Sequence, residues 1–110
     1  MGTCPALASC TSYRPPHMVY AIGGKDVFGE PLQTAERLLP MSMDWSPMRP
    51  LSKPRSGCAA VAVGYLICVM GGISEAQEVL SSCEVMDITA GTWESMAPMP
   101  VARHAFAATV

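Results

Sequence analysis

The stretch RSGCAAVAVGYLICVMGG, Arg55 to Gly72, carries no charge after its first residue. An uncharged run of this length makes a buried helix, a membrane span or a hairpin of two buried strands, so its reading decides the fold. Gly64-Tyr65 splits it into Gly57 to Val63 and Leu66 to Met70, and it closes on the doublet Gly71-Gly72. Val61, Val63, Ile67 and Val69 are β-branched and suit a pleated surface. As one helix the run would hold Gly57, Gly64, Gly71 and Gly72, each costing about 1 kcal/mol relative to alanine. As a membrane span it falls short of the ~20 apolar residues a bilayer requires, and no cluster of Lys or Arg follows it. The reading is a hairpin buried on both faces, turning at Gly64.

Outside this stretch, composition narrows the class. Of 110 residues, 50% are hydrophobic and 15% charged, which suffices for a core and does not describe a disordered chain. A net charge of −2 is not that of a nucleic-acid-binding surface. Ten prolines and nine glycines favour many short strands over a few long helices. The nine methionines suit irregular core gaps better than a cofactor site. Five cysteines form no C-x-x-C pair and have only His17 and His104 to join them, so neither a zinc site nor any other cofactor is expected. No asparagine is present, hence no N-glycosylation sequon, and the first ten residues have no basic region or long apolar core of a secretory signal. Ala6 stands where a myristoylation signal requires Ser or Thr. These features predict a cytoplasmic protein, with the nucleus also open to it, and no membrane partner.

The chain repeats itself. Gly23 and Gly71, Glu36 and Glu84, Trp45 and Trp93, Met48 and Met96, Pro50 and Pro98, and Arg55 and Arg103 are each 48 residues apart, and Ala59-Ala60 match Ala107-Ala108 at the same offset. Six landmarks of different chemistry sharing one ungapped offset mark an internal repeat, and a period of 20 to 50 residues belongs to solenoids, propellers and arrays. One period reads as a small-residue strand, a glycine turn, an apolar strand, a glycine pair, a long loop, a mixed strand, a turn and a tryptophan strand. Four strands per period describe a propeller blade. Gly57, Cys58, Ala59 and Ala60 suit the innermost strand, where blades converge; Trp45 and Trp93 suit the outermost, where a ring fills the widening seam between blades.

With these residues in place, the chain resembles kelch repeats. That family's pattern is a strand ending in Gly-Gly, a loop, a Glu-x-Tyr-Asp strand, a tryptophan about six residues on, and an arginine opening the next blade. Here it reads Gly71-Gly72, Glu84, Asp87, Trp93 and Arg103, and less completely Gly23-Gly24, Glu36, Trp45 and Arg55. Leu38 and Met86 replace the tyrosine, and Leu39 stands where an aspartate is usual, so the first copy departs further. The fold implied is all-β: a partial kelch-type β-propeller of two four-stranded antiparallel blades plus the first strand of a third, Ala105 to Val110. The division expected is a leader or the remnant of a preceding strand over 1–17, one repeat over 18–62, and a second with the start of the next blade over 63–110. Because a propeller closes with roughly four to eight blades, the sequence reads as a fragment or truncated form of a longer kelch protein.

Alternating strand direction places the loops Lys25 to Leu32 and Ile73 to Val79 on the same face as the connections Pro50 to Arg55 and Pro98 to Arg103. Loops on a rigid scaffold carry recognition. Kelch receptors bind peptides with these two loop classes, and the resemblance implies a protein or peptide ligand on this face, contacted by Lys25, Asp26, Arg55, Ser56, Ser74, Glu75, Arg103 and His104. The arginines have a competing structural reading, as donors to carbonyls of a neighbouring blade. Glu36 and Glu84 lie in equivalent places of adjacent blades and are not expected to converge, so catalysis is not expected of them. The glycine pairs are not phosphate cradles, because no helix or G-K-[ST] follows. The resemblance also implies an adaptor role. Many kelch proteins are substrate receptors of cullin-type ubiquitin ligases through a separate domain absent here, and others bind actin. The alternatives are a galactose-oxidase-like propeller fragment, whose copper chemistry needs a denser set of Tyr, His and Cys ligands than this sequence offers, and a truncated product without independent function.

Overall fold

The computed structural model describes residues 19–39, 41–105 and 107–108. It is all-β among these residues, with seven strands: β1 (Val19–Ile22), β2 (Ala35–Leu39), β3 (Asp44–Met48), β4 (Ala59–Val63), β5 (Leu66–Met70), β6 (Cys83–Asp87) and β7 (Thr92–Met96). They form two antiparallel meanders, a three-stranded sheet β1-β2-β3 and a four-stranded sheet β4-β5-β6-β7. The apolar stretch is the hairpin β4–β5, with Val63 opposite Leu66 across the Gly64-Tyr65 turn.

The 48-residue period is a structural period. β2 and β3 map onto β6 and β7 residue for residue, and β1 onto Ile67–Met70 of β5. The loops follow suit. Gly24 N–H donates to Arg55 O at 2.8 Å and Gly72 N–H to Arg103 O at 2.8 Å. Leu32 N–H donates to Gly24 O, and Leu80 N–H to Gly72 O, also at 2.8 Å each. Positive φ recurs as well: Gly29 (84°) matches Gln77 (64°), Gly91 (76°) matches Met43 (59°) and Gly57 (67°) matches Ala105 (53°).

The expected first strand of the first blade lies outside the described residues. The expected strand Ala105 to Val110 is not one at Ala105, Ala107 or Ala108, and its other residues also lie outside. The repeat frame of 18–62 and 63–110 cuts the β4–β5 hairpin, whereas the sheets divide at the 49–58 linker.

The core sits between the sheets. Leu51 of the linker, Ile67 and Val69 are fully buried, and Tyr20, Ile22, Met48, Ala60 and Trp93 pack on them. Burying one such side chain contributes about 1.5–3 kcal/mol. Strand alternation explains the selection: Tyr20 and Ile22 point at the second sheet, while Val19 points away and is half exposed. The hairpin departs from its expectation on one face. Ile67 and Val69 are buried, and on the other face Ala59 and Val61 are buried too, but Val63 and Leu66 beside the turn are 47% and 41% exposed.

Candidate functional site

Four segments meet along one rim of the two sheets, joined by backbone hydrogen bonds that begin at the glycine pairs. The β1–β2 loop is tied to the first linker by Gly24 N–H to Arg55 O and by Arg55 N–H to Leu32 O at 2.9 Å. That linker is tied to the β5–β6 loop by the Ser56–Ile73 bridge, with Ser56 N–H to Ile73 O at 3.0 Å and Ile73 N–H to Ser56 O at 2.7 Å. The β5–β6 loop is tied in turn to the second linker by Arg103 N–H to Leu80 O at 3.1 Å. Ala105 N–H donates to Gly57 O at 2.7 Å and closes the series. A Cβ on Gly72 would meet Ser56 O at 2.8 Å and Cys58 N at 3.2 Å, so this approach requires glycine.

The eight residues expected on the binding face all lie on this rim, in three different situations. Lys25, Glu75, Arg103 and His104 are exposed. Asp26 and Ser74 hold their own loops. Asp26 Oδ1 accepts from Phe28 N–H at 2.8 Å and Glu30 N–H at 3.0 Å; one period on, Ser74 Oγ accepts from Ala76 N–H at 3.2 Å and Glu78 N–H at 3.3 Å. Such side-chain turns fix a loop's shape before any ligand arrives. Ser56 is half-buried in its bridge.

Arg55 takes the structural alternative. It is 1% exposed, its Nη1 donates to Gly71 O at 3.0 Å and Ser82 O at 2.8 Å, and its Nε donates to Glu84 Oε2 at 3.2 Å. Nη2 donates to Ser82 Oγ at 3.0 Å and lies 3.1 Å from Glu84 Oε2. The five donors of a guanidinium are thereby occupied, and none remains for a ligand. Glu84, also buried, accepts from Ser52 N–H at 2.9 Å through its other oxygen, while Glu36 is exposed on β2. The two glutamates therefore have separate surroundings and form no acid–base pair.

Cys58 lies behind the rim, and burial pushes its thiol above the ordinary value, with the Arg55 charge opposing. A raised thiol is a poor nucleophile at neutral pH. The sequence reading missed Val27 and Phe28, which are 93% and 85% exposed at the tip of the β1–β2 loop. The usable signal was two large apolar residues inside an Asp-x-x-Gly turn.

The tryptophans occupy equivalent strand positions in different surroundings. Trp93 is half-buried in the seam, where its Nε1–H donates to Arg49 O of the first linker at 2.7 Å. Trp45 is 50% exposed, so the expectation of a buried ring holds for Trp93 and not for Trp45. Trp93 has a preceding sheet and linker to pack on; Trp45 has neither among the described residues.

Residues 54–100 match the family model for the kelch motif. Beta-scruin of Limulus polyphemus is 32% identical over 91 residues, covering 77% of this chain and 10% of its own length. An F-box/kelch-repeat protein of Arabidopsis thaliana is 43% identical over 56 residues, covering 51% of this chain and 15% of its own. Alpha-scruin of Limulus polyphemus is 31% identical over 90 residues, covering 78% and 10%. The chain thus spans 10–15% of the length of these three relatives, and none of their names carries an enzymatic activity.

Proposed function

Because the chain is a segment of kelch repeats, we propose that it is a protein-binding module whose rim takes a protein or peptide ligand, as the recognition part of an adaptor. The observation that carries the reading is the rim itself. Four segments from two sheets are fixed together by backbone bonds, and the exposed side chains Lys25, Glu75, Arg103 and His104 stand on that fixed base. Ordering the loops in advance lowers the entropic cost of binding. Mixed charge at the rim suits a partner offering both signs, and the tips Val27 and Phe28 supply apolar contact. The F-box named beside kelch repeats in the Arabidopsis relative supports an arrangement in which kelch repeats accompany a second module.

The test is selection of a displayed peptide library on the 110-residue chain, followed by affinity measurements on Lys25→Glu, Glu75→Lys and Phe28→Ala. Selected peptides are expected to lose at least about tenfold in affinity with the rim variants, which corresponds to ~1.4 kcal/mol. Thr92→Lys, on the opposite rim, is expected to leave binding unchanged. Failure to select any peptide, or binding indifferent to all three rim changes, overturns the reading.

A further inference from the structure

Ser52 lies in the linker between β3 and β4, outside any strand, and its side chain is exposed. Its hydroxyl makes no hydrogen bond among the described residues. The sequence around it reads Arg49-Pro50-Leu51-Ser52-Lys53-Pro54. Arg49, three positions before, and Lys53, one after, are exposed as well, whereas Leu51 is buried in the seam. Of the chain's arginines, Arg49 alone is followed at the third position by a serine or threonine. An exposed serine with a guanidinium three residues ahead is the pattern a basophilic protein kinase takes. Acidic groups of such a kinase bind the guanidinium and thereby set the hydroxyl opposite the nucleotide.

The same residue touches the seam through its backbone. Ser52 N–H donates to Glu84 Oε1 at 2.9 Å, while the other carboxylate oxygen holds Arg55. Glu84 is buried. A phosphoserine carries about −2 charge at pH 7, and here it would stand beside that carboxylate. Arg55 has nothing to offer it, because its guanidinium is buried and its donors are taken by Gly71, Ser82 and Glu84. Arg49 and Lys53 are close in sequence, but they lie in water, where attraction is screened. Repulsion from Glu84 acts at a buried group and is screened far less, so repulsion wins.

We propose that Ser52 is a phosphorylation site and that its modification loosens the seam between the sheets. The γ-phosphoryl group of a nucleoside triphosphate passes to Ser52 Oγ. The new P–O bond forms as the bond from Pγ to the bridging oxygen breaks; the nucleoside diphosphate leaves with the electron pair, and the hydroxyl proton goes to the kinase's base. Leu51 anchors the linker, so the kinase takes this segment when Leu51 lifts out of the core, and the phosphate then opposes its return. The bond from Arg55 N–H to Leu32 O and the Ser56–Ile73 bridge belong to the same linker, so loosening it also frees the rim segments from one another. Ser52 and Arg55 lie between β3 and β4 and Glu84 within β6, so the site is internal to the chain. The inference stands whether or not the rim takes a peptide.

The experiment has two parts. The full 110-residue chain is incubated with a basophilic serine kinase and magnesium ATP, and the phosphate is located by peptide mapping in a mass spectrometer. Phosphate is expected on Ser52, is expected to be absent from that peptide in Ser52→Ala, and should enter at least about tenfold more slowly in Arg49→Ala. Urea denaturation then compares modified and unmodified chains. The phosphorylated chain is expected to show a folding constant at least about tenfold lower. Ser52→Glu is expected to move in the same direction. Ser52→Gln, which adds similar bulk without the charge, and Ser46→Glu, at an exposed serine of β3, are expected to keep the wild-type midpoint. Phosphate found only at other residues, or none at all, overturns the site. A phosphorylated chain as stable as the unmodified one, or Ser52→Gln as unstable as Ser52→Glu, overturns its action on the seam.

Discussion

Arg55 and Glu84 lie 29 positions apart in sequence and form one buried ion pair, closed by Ser52, Gly71 and Ser82. Removing one member of such a pair leaves a buried charge without compensation, at a cost of about 3–5 kcal/mol. Glu84→Gln and Arg55→Met are therefore expected to lose most of the chain's stability in urea denaturation, while Glu36→Gln changes it by less than about 0.5 kcal/mol. The sequence showed that both residue types recur, but not that they meet. The pairing joins a linker to a strand on the next sheet, and periodicity reports equivalence rather than contact. Burial also holds the Cys58 and Cys68 thiols above their ordinary value. The folded state thus binds protons that the unfolded chain releases first, so this stability is complete below about pH 8.5 and is lost as pH rises through the folded values. The urea midpoint is expected to fall above about pH 9, and to fall less in a Cys58→Ala/Cys68→Ala variant.

Strands and turns were the most legible level. Alternation of β-branched residues located β4 and β5, and the glycine doublets located the ends of β1 and β5. Burial along one face was not legible, because an apolar strand looks the same at its covered and its uncovered end; Ala59 and Val61 are buried while Val63 and Leu66 beside the turn are exposed. The roles of the rim residues were hidden for a similar reason, since Asp26 and Ser74 are polar loop residues whose bonds are internal. Gly72 and Gly64 give a test at this scale. Both have positive φ, but a Cβ on Gly72 meets backbone whereas one on Gly64 meets nothing within 4 Å. Gly64→Ala is expected to cost about 1 kcal/mol and Gly72→Ala about 3 kcal/mol or more, read by thermal unfolding. Gln77 holds at φ 64° the conformation that Gly29 holds one period earlier, so Gln77→Gly should raise the melting temperature rather than lower it.

At the scale of the molecule, one seam organises everything else. It buries Leu51, Ile67 and Val69, takes the Trp93 indole and aligns four rim segments. The unequal tryptophans follow from it, because the seam covers Trp93 and, among the described residues, nothing comparable covers Trp45. Nuclear Overhauser spectroscopy on the methyl-labelled chain tests it most directly. Cross-peaks from Tyr20 and Ile22 of β1 to the Leu51, Ile67 and Val69 methyls are predicted, because those side chains pack together only if the sheets stack face to face. Two sheets that each show their own strand pairing, with no cross-peak joining β1 to β5, would contradict the account.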